Sequence, residues 1–290
     1  MSQAAVTSQK AVRQDNKTAQ LIGKIILYVV LIAIALFTLI PFVWMLSASL
    51  KLDREVFTYP MKWIPETFHW ENYSLIWTKV PMLTYAKNTA IVAICVTFIQ
   101  TLTSSFAAYA FAKLHFKGRD VLFLAYIGTI AVPWQAYMLP QFILMRSMGL
   151  YDTLVAIMVL QAFSAFGVFL MRQFYQSIPT ELCEAARIDG LSEYGIWLKI
   201  MLPLSTAAIA TLVIFTFVGT WNDYMGPMIY LTRDVNKTIQ VGLRRFIQEN
   251  SSDYHLIMAA SVVSLIPVSI VFLALQKYFI EGIATSGLKG

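Results

Sequence analysis

The stretch Gln173–Pro203, QFYQSIPTELCEAARIDGLSEYGIWLKIMLP, is polar and lies between two segments apolar enough to cross a bilayer. A few residues would suffice to turn a chain around between two spans, so thirty need another reason. Pro179 and Thr180 signal a helix start, with Thr180 as the expected N-cap and Glu181 in the favourable first turn. Gly190 ends that helix after Asp189, because glycine adopts the left-handed conformation that closes a helix. Ser192 is placed to cap a second helix, and Pro203 marks the entry to the next span. On the first helix Leu182 and Ala186 share a face, with Ala185 beside them. Little bulk at the centre lets another chain approach closely. The pattern predicts two short helices with a bend between them, shaped to be gripped.

Outward from this loop the chain is a membrane protein. Of its 290 residues 58% are hydrophobic and 13% charged, against about a quarter charged in soluble domains. Six apolar runs of about 20 residues or more are expected to span the bilayer, at about 21–46, 88–112, 121–145, 153–172, 204–230 and 256–276. Lipid cannot satisfy free backbone groups, so these runs must be helical and the fold class is all-α. Residues 1–20 are polar without hydrophobic period and are expected to form a flexible cytoplasmic tail. The run that follows is too long for the hydrophobic core of a signal peptide, and no small-residue cleavage site closes it.

Orientation follows from the basic residues. Lys10, Arg13 and Lys17 in the tail and Lys113, Lys117 and Arg119 in the loop 113–120 place both on the cytoplasmic side. Arg233, Lys237, Arg244 and Arg245 fall in a loop that this scheme puts outside. Six spans with the N-terminus inside put residues 173–203 in the cytoplasm. The net charge of +6 is scattered at the ends of apolar runs rather than gathered on one face, so nucleic acid is not an expected partner. Cys95 and Cys183 are badly placed to pair, and His69, His115 and His255 stand apart, so neither a disulfide nor a metal site is expected.

The middles of the spans carry almost no charge, which opposes an ion-coupled secondary carrier. They carry amides and hydroxyls instead: Gln100, Thr101, Ser104, Ser105, Thr129, Gln135, Gln161, Ser164, Thr211, Thr216, Ser261 and Ser264. Helix–helix packing explains most such groups, although a neutral hydrogen-bonding lumen is also what a sugar path requires. Pro133 and Pro140 are expected to kink or interrupt the third span and Pro267 the sixth. Trp221-Asn222-Asp223, near the outer end of the fifth span, joins a carboxylate to an aromatic ring. That pair either holds a sugar by hydrogen bonds and ring stacking or anchors the helix end at the interface. The first outer loop, 47–85, is rich in aromatics, suiting an interfacial belt or a docking surface. Its Asn72-Tyr73-Ser74 fits a glycosylation triplet. A membrane enzyme is opposed by the lack of any clustered Ser/His/Asp or His/Glu set.

The spaced pattern Glu184, Ala185, Ala186, Gly190, Ile200, Leu202 and Pro203 resembles the EAA loop of permease subunits of bacterial ABC importers. Leu191 and Trp197 stand where the family often has Ala and Phe, both apolar departures. IPFVWMLSASLK, FHWENYSLIW, the W-N-D element of TWNDYMGPMIYL and the ending QKYFIEGIATSGLKG resemble elements of the maltose-type, carbohydrate-importing branch. The likeness runs from the first span to the last residue and is strongest over 178–230 and 275–290.

It implies a six-span type I importer permease fold, in the multi-pass plane of a bacterial cell membrane, with both termini cytoplasmic. It implies that Glu184, Ala185, Ala186, Asp189 and Gly190 seat the loop in a cleft of an ATP-binding subunit. The tail 281–290, through Gly287, Lys289 and Gly290, would reach between the two ATP-binding subunits. No G-x-x-x-x-G-K-[ST] loop occurs in the chain, so ATP and Mg would be held by that partner dimer, and this chain is expected to be neither an enzyme nor a cofactor binder. A second permease, expected to be a different chain, and an extracytoplasmic solute-binding protein would complete the machine, with lipid around it. The solute expected is a carbohydrate, an oligosaccharide first. The alternatives are a non-sugar solute such as a glycerol phosphate, or the ion-coupled carrier already opposed. Trp221, Asn222 and Asp223 are the candidate solute-path residues.

Overall fold

The computed structural model describes residues 3–247 and 253–287, which are helical without a strand. Twelve helices carry the architecture. They are α1 (Gln3–Ser49), α2 (Asn72–Lys79), α3 (Met82–Lys113), α4 (Arg119–Gly128), α5 (Met138–Ser147) and α6 (Leu154–Leu160). The remainder are α7 (Ala165–Ser177), α8 (Glu181–Ile188), α9 (Glu193–Leu204), α10 (Thr206–Trp221), α11 (Met225–Tyr230) and α12 (Tyr254–Gly287). The centre is α3, which packs against α7 on one side and α10 on the other. α12 packs against α10, α1 and α2.

Three helices are each long and apolar enough to cross a membrane: α1 from Gln20, α3, and α12 as far as Tyr278. Two bent pairs, α6 with α7 and α9 with α10, raise the number to five if each is one span. The run 121–145 is divided into α4 and α5 by two single 3₁₀ turns, Thr129–Ala131 and Trp134–Ala136. Pro133 lies between those turns and interrupts the helix as expected. Pro140 does not, because it occupies the first turn of α5, where its missing N–H has no partner to lose. Pro267 lies inside α12 without ending it. The 45° bend between α6 and α7 contains no proline at all; there Ser164 accepts a hydrogen bond from the Gly167 N–H at 3.0 Å and caps the new helix.

The two expected tails are described only in part. The stretch 1–20, expected to be a flexible tail, is described from Gln3 onward as the start of α1. It is rich in Ala, Gln, Lys and Arg, and a helix nucleated in the adjoining apolar run propagates readily through such residues. The tail 281–290 is likewise helical as far as Gly287, and Lys289 and Gly290 lie outside the described residues. In the outer loop the Asn72 side chain is buried and donates to the carbonyls of Ser49 (3.0 Å) and Lys51 (2.9 Å). Its amide ties the end of α1 to the start of α2, so it is not available as a glycosylation acceptor.

Candidate functional site

Two places match the expectations drawn from the sequence, and they lie at different levels of the helix bundle. The first is the polar loop. α8 closes with a complete Schellman motif: the Gly190 N–H donates to the Arg187 carbonyl (3.0 Å) and the Leu191 N–H to the Ala186 carbonyl (3.0 Å). Gly190 has φ +82°, the left-handed conformation anticipated, and a Cβ added there would meet nothing within 4 Å. Conformation, not crowding within this chain, therefore demands glycine. Ser192 caps α9 by accepting from the Gly195 N–H at 3.3 Å, also as anticipated. Thr180 does not cap α8. Its backbone is already helical and its hydroxyl accepts from Lys113 Nζ at 3.4 Å instead.

The two faces of α8 differ from the pairing expected. Cys183 and Ala186, three residues apart, turn inward, and Leu182 is exposed rather than sharing their burial. Cys183 sits with its Sγ 3.8 Å from the Met201 Sδ, and burial pushes its thiol up in pKa, so it is an inert packing residue. Glu184, Ala185, Asp189 and Gly190 are exposed, together with Leu182 and with Ile188 at 87% exposure. The protruding face is therefore a ridge of small and apolar side chains flanked by carboxylates. Arg187 ties the two helices by donating through Nε to Glu193 Oε1 (2.6 Å) and through Nη2 to Glu193 Oε2 (3.2 Å). That guanidinium holds Glu193 below the usual carboxylate range.

The second place is a cavity of about 570 Å³ among α3, α5, α6, α7, α10 and α11. Such a volume falls within the range of small-molecule sites. Its polar wall is a ladder of neutral groups. Thr216 Oγ1 donates to Gln100 Oε1 at 2.5 Å, and Gln100 Nε2 donates to the Gln161 carbonyl at 2.9 Å. Thr220 Oγ1 donates to Gln161 Oε1 at 2.9 Å, and Gln161 Nε2 donates to Asp223 Oδ2 at 2.7 Å. Trp134 Nε1 donates to Gln141 Oε1 at 3.0 Å, and Tyr137, Phe163, Phe215 and Tyr230 add aromatic rings to the lining. Among the described residues Asp223 is the single charged one lining the cavity. Its other oxygen accepts from the Gly226 N–H, in the first turn of α11, at 3.1 Å.

Of the three path candidates, only Asp223 lines this cavity. Trp221 is 3% exposed, stacks on Phe217 with ring centroids 5.6 Å apart, and donates to the Ser264 carbonyl at 3.0 Å. It is a bolt between α10 and α12, facing away from the cavity. Asn222 is exposed and accepts from Gln240 Nε2 at 3.2 Å. Gln141, Trp134, Tyr137 and Thr220 line the cavity without standing out in the sequence, and Gln100, Gln161 and Thr216 belong to its wall rather than to helix packing alone. One signal was present: Thr216, Thr220 and Asp223 follow at i, i+4 and i+7, one stripe of a helix.

Residues 100–285 match the family described as binding-protein-dependent transport system inner membrane component. The arabinooligosaccharides transport system permease protein of Halalkalibacterium halodurans is 32% identical over 89% of this chain and 93% of its own length. The melibiose/raffinose/stachyose import permease protein of Bacillus subtilis is 33% identical over 87% and 91% respectively. Among solved structures, a chain of a bacterial ABC transporter involved in the import of the acidic polysaccharide alginate superposes with a TM-score of 0.78. It is 28% identical and covers 89% of this chain and 96% of that one. The spaced loop between apolar helices, the all-α fold and these likenesses lead to one conclusion: the chain belongs to the family of inner membrane permease components of binding-protein-dependent ABC transporters.

Proposed function

We propose that this permease imports a carbohydrate, an oligosaccharide first, by alternating access driven by ATP hydrolysis on partner subunits. The observation that carries the reading is the cavity wall. A ladder of amides and hydroxyls shares the lining with aromatic rings, and hydroxyl-rich sugars are held by hydrogen bonds together with ring contacts. The names of the relatives, which are permeases for arabinooligosaccharides and for melibiose, raffinose and stachyose, support the same class of solute. Gln100, Gln141, Gln161, Thr216, Thr220 and Asp223 are this chain's solute-facing groups in this reading, and Trp221 and Asn222 are not.

The exposed ridge of α8, with Glu184, Ala185, Asp189 and Gly190, seats in a cleft of an ATP-binding subunit, and Ala186 supports it from beneath. ATP and Mg are bound by that partner dimer, and this chain holds no cofactor. A second, different permease and an extracytoplasmic solute-binding protein complete the assembly. The protein lies in a bacterial cell membrane with both termini, the α8–α9 loop and the end of α12 at the cytoplasmic face. There Gly287, with Lys289 and Gly290 beyond the described residues, reaches toward the ATP-binding pair. The test is reconstitution of the full complex in proteoliposomes with labelled arabinotriose, raffinose and lactose. ATP-dependent uptake of at least one is expected, and uptake of none, in a complex that hydrolyses ATP, would remove the sugar reading.

A further inference from the structure

The cytoplasmic end of α3 carries a second stripe that no solute-path or loop motif accounts for. Ser105, Tyr109 and Lys113 follow at intervals of four and are all buried, none more than 4% exposed. Each makes polar contact with the loop or with the helix that leads into it. The Ser105 hydroxyl lies 2.6 Å from the Tyr175 hydroxyl on α7 and accepts from Trp197 Nε1 on α9 at 2.9 Å. Tyr109 donates its hydroxyl proton to Glu193 Oε2. Lys113 Nζ donates to the Ile178 carbonyl at 2.5 Å and to Thr180 Oγ1, at the start of the loop.

Glu193 is the junction of this set. It belongs to α9, accepts from Arg187 on α8, and accepts from Tyr109 on α3. One carboxylate therefore joins both loop helices to the central helix. The core in which Tyr109 is buried, with Met171, Cys183, Ile196 and Met201, is apolar, and apolar contacts alone let helices slide, while the Glu193 side chain reaches it from a position 41% exposed. The bond between them is directional, and the buried Tyr109 hydroxyl is costly to leave without a partner. The same α3 carries Gln100 nine residues before Tyr109, about 13.5 Å along the helix axis. Gln100 is bonded to Thr216 and to the Gln161 backbone in the cavity wall. A displacement of the loop thus reaches the cavity through one uninterrupted helix.

We infer that Tyr109 and Glu193, held by Arg187, form a latch that makes the α8–α9 loop and α3 move as one body. They are positioning residues, touching neither solute nor nucleotide. The inference rests on the reading of the loop as the seat of an ATP-binding subunit. Tyr109→Phe removes one hydroxyl and keeps the ring, and Glu193→Gln keeps the shape and removes the charge.

The experiment uses the assembled complex carrying a cysteine at the exposed cavity residue Phe163, with the chain lacking that cysteine as blank for Cys95 and Cys183. The rate of labelling by a small maleimide is measured with and without Mg-ATP plus vanadate. In the unaltered latch, nucleotide is expected to change the rate. Each variant should reduce that nucleotide response about tenfold, the factor for one lost hydrogen bond to a charged group. The double variant should lose less than the two single losses combined, because both act on the one Tyr109–Glu193 bond. Normal responses in both variants overturn the latch and leave the coupling loop standing. Additive losses, or variants that no longer assemble, overturn it in favour of a scaffolding role. A complex that shows no nucleotide response with the latch intact, or does not copurify with an ATP-binding subunit, instead removes the reading of the loop on which the inference rests.

Discussion

Helices α1 and α3 are both long, apolar and able to cross a membrane, and they have opposite positions in the molecule. From residue 21 to residue 43 every side chain of α1 is exposed. α3 buries Asn88, Thr89, Thr97, Ser104, Ser105 and Lys113, and is packed on both sides. The difference lies in the few polar residues and not in the apolar majority. A polar group facing hydrocarbon is expensive, so a helix that carries a row of them must turn them toward protein. A helix without them is free to face lipid or another chain. Among these spans it is the polar minority that designates the hub.

The largest effect expected separates the two helices directly. Gly167 of α7 lies against α3, where an added Cβ would fall 2.4 Å from Ser104 Oγ and 3.1 Å from the Leu212 Cδ1 of α10. Gly167→Leu should therefore cost about 3 kcal/mol or more and abolish monodisperse folded protein in size-exclusion chromatography. Gly23→Leu on α1, where nothing lies within 4 Å, should elute and melt as the parent does. Equal damage from both would break the comparison.

Next in size is Gly190→Val, which forces a branched side chain into φ +82° at a cost of about 1–2 kcal/mol local to the loop. The helices should stay folded while solute-stimulated ATP hydrolysis by the complex falls severely. Hydrolysis that remained normally stimulated would mean that the loop does not couple through this turn.

A smaller effect sharpens the distinction between cavity and scaffold. Gln161→Leu leaves the Thr220 hydroxyl and the Asp223 carboxylate without their partner and should lower uptake per assembled complex about tenfold. Trp221→Phe loses the bond to the Ser264 carbonyl and should lower the amount of folded protein, with uptake per complex unchanged. Reversal of the two results would return the solute path to Trp221.

The smallest is a pH effect at the other end of α3. Asn88 donates to the carbonyls of Val235 (2.8 Å) and Lys237 (2.9 Å), and the same segment is also gripped by Asp152. Burial opposes the ionised form of Asp152. Hydrogen bonds from Thr232, Arg233 and Asn236 outweigh it and hold the carboxyl at about 2. A folded pKa below the ordinary 3.8 means that the stabilisation is full above that value and is lost as pH falls toward 2. The difference in melting temperature between the parent and Asp152→Asn should be constant from about pH 8 to about pH 5 and narrow only below about pH 4. Narrowing near pH 6 would point to a different titrating group.

The all-α class, the apolar runs and the bent loop with its glycine stop at Gly190 and its Ser192 cap were determined by sequence alone. Each rests on local rules: the length needed to cross hydrocarbon, the internal bonding that lipid demands, and the left-handed turn that ends a helix. Family membership was legible for the same reason, since its motif is a spacing within one loop. What only the tertiary structure decided depends on where distant residues meet. Trp221 and Asp223 are two residues apart, yet one bolts α10 to α12 and the other lines the cavity, because α10 ends at Trp221 and Asp223 lies in the turn that follows. The break at 161–164 carries no proline and is sustained by Ser164 and by the fit of Gly167 against Ser104. Tyr109 and Glu193 are 84 residues apart, and no periodicity links them. Their meeting follows from the packing of α3 against the loop, and packing is a property of pairs of surfaces that no single stretch of chain contains.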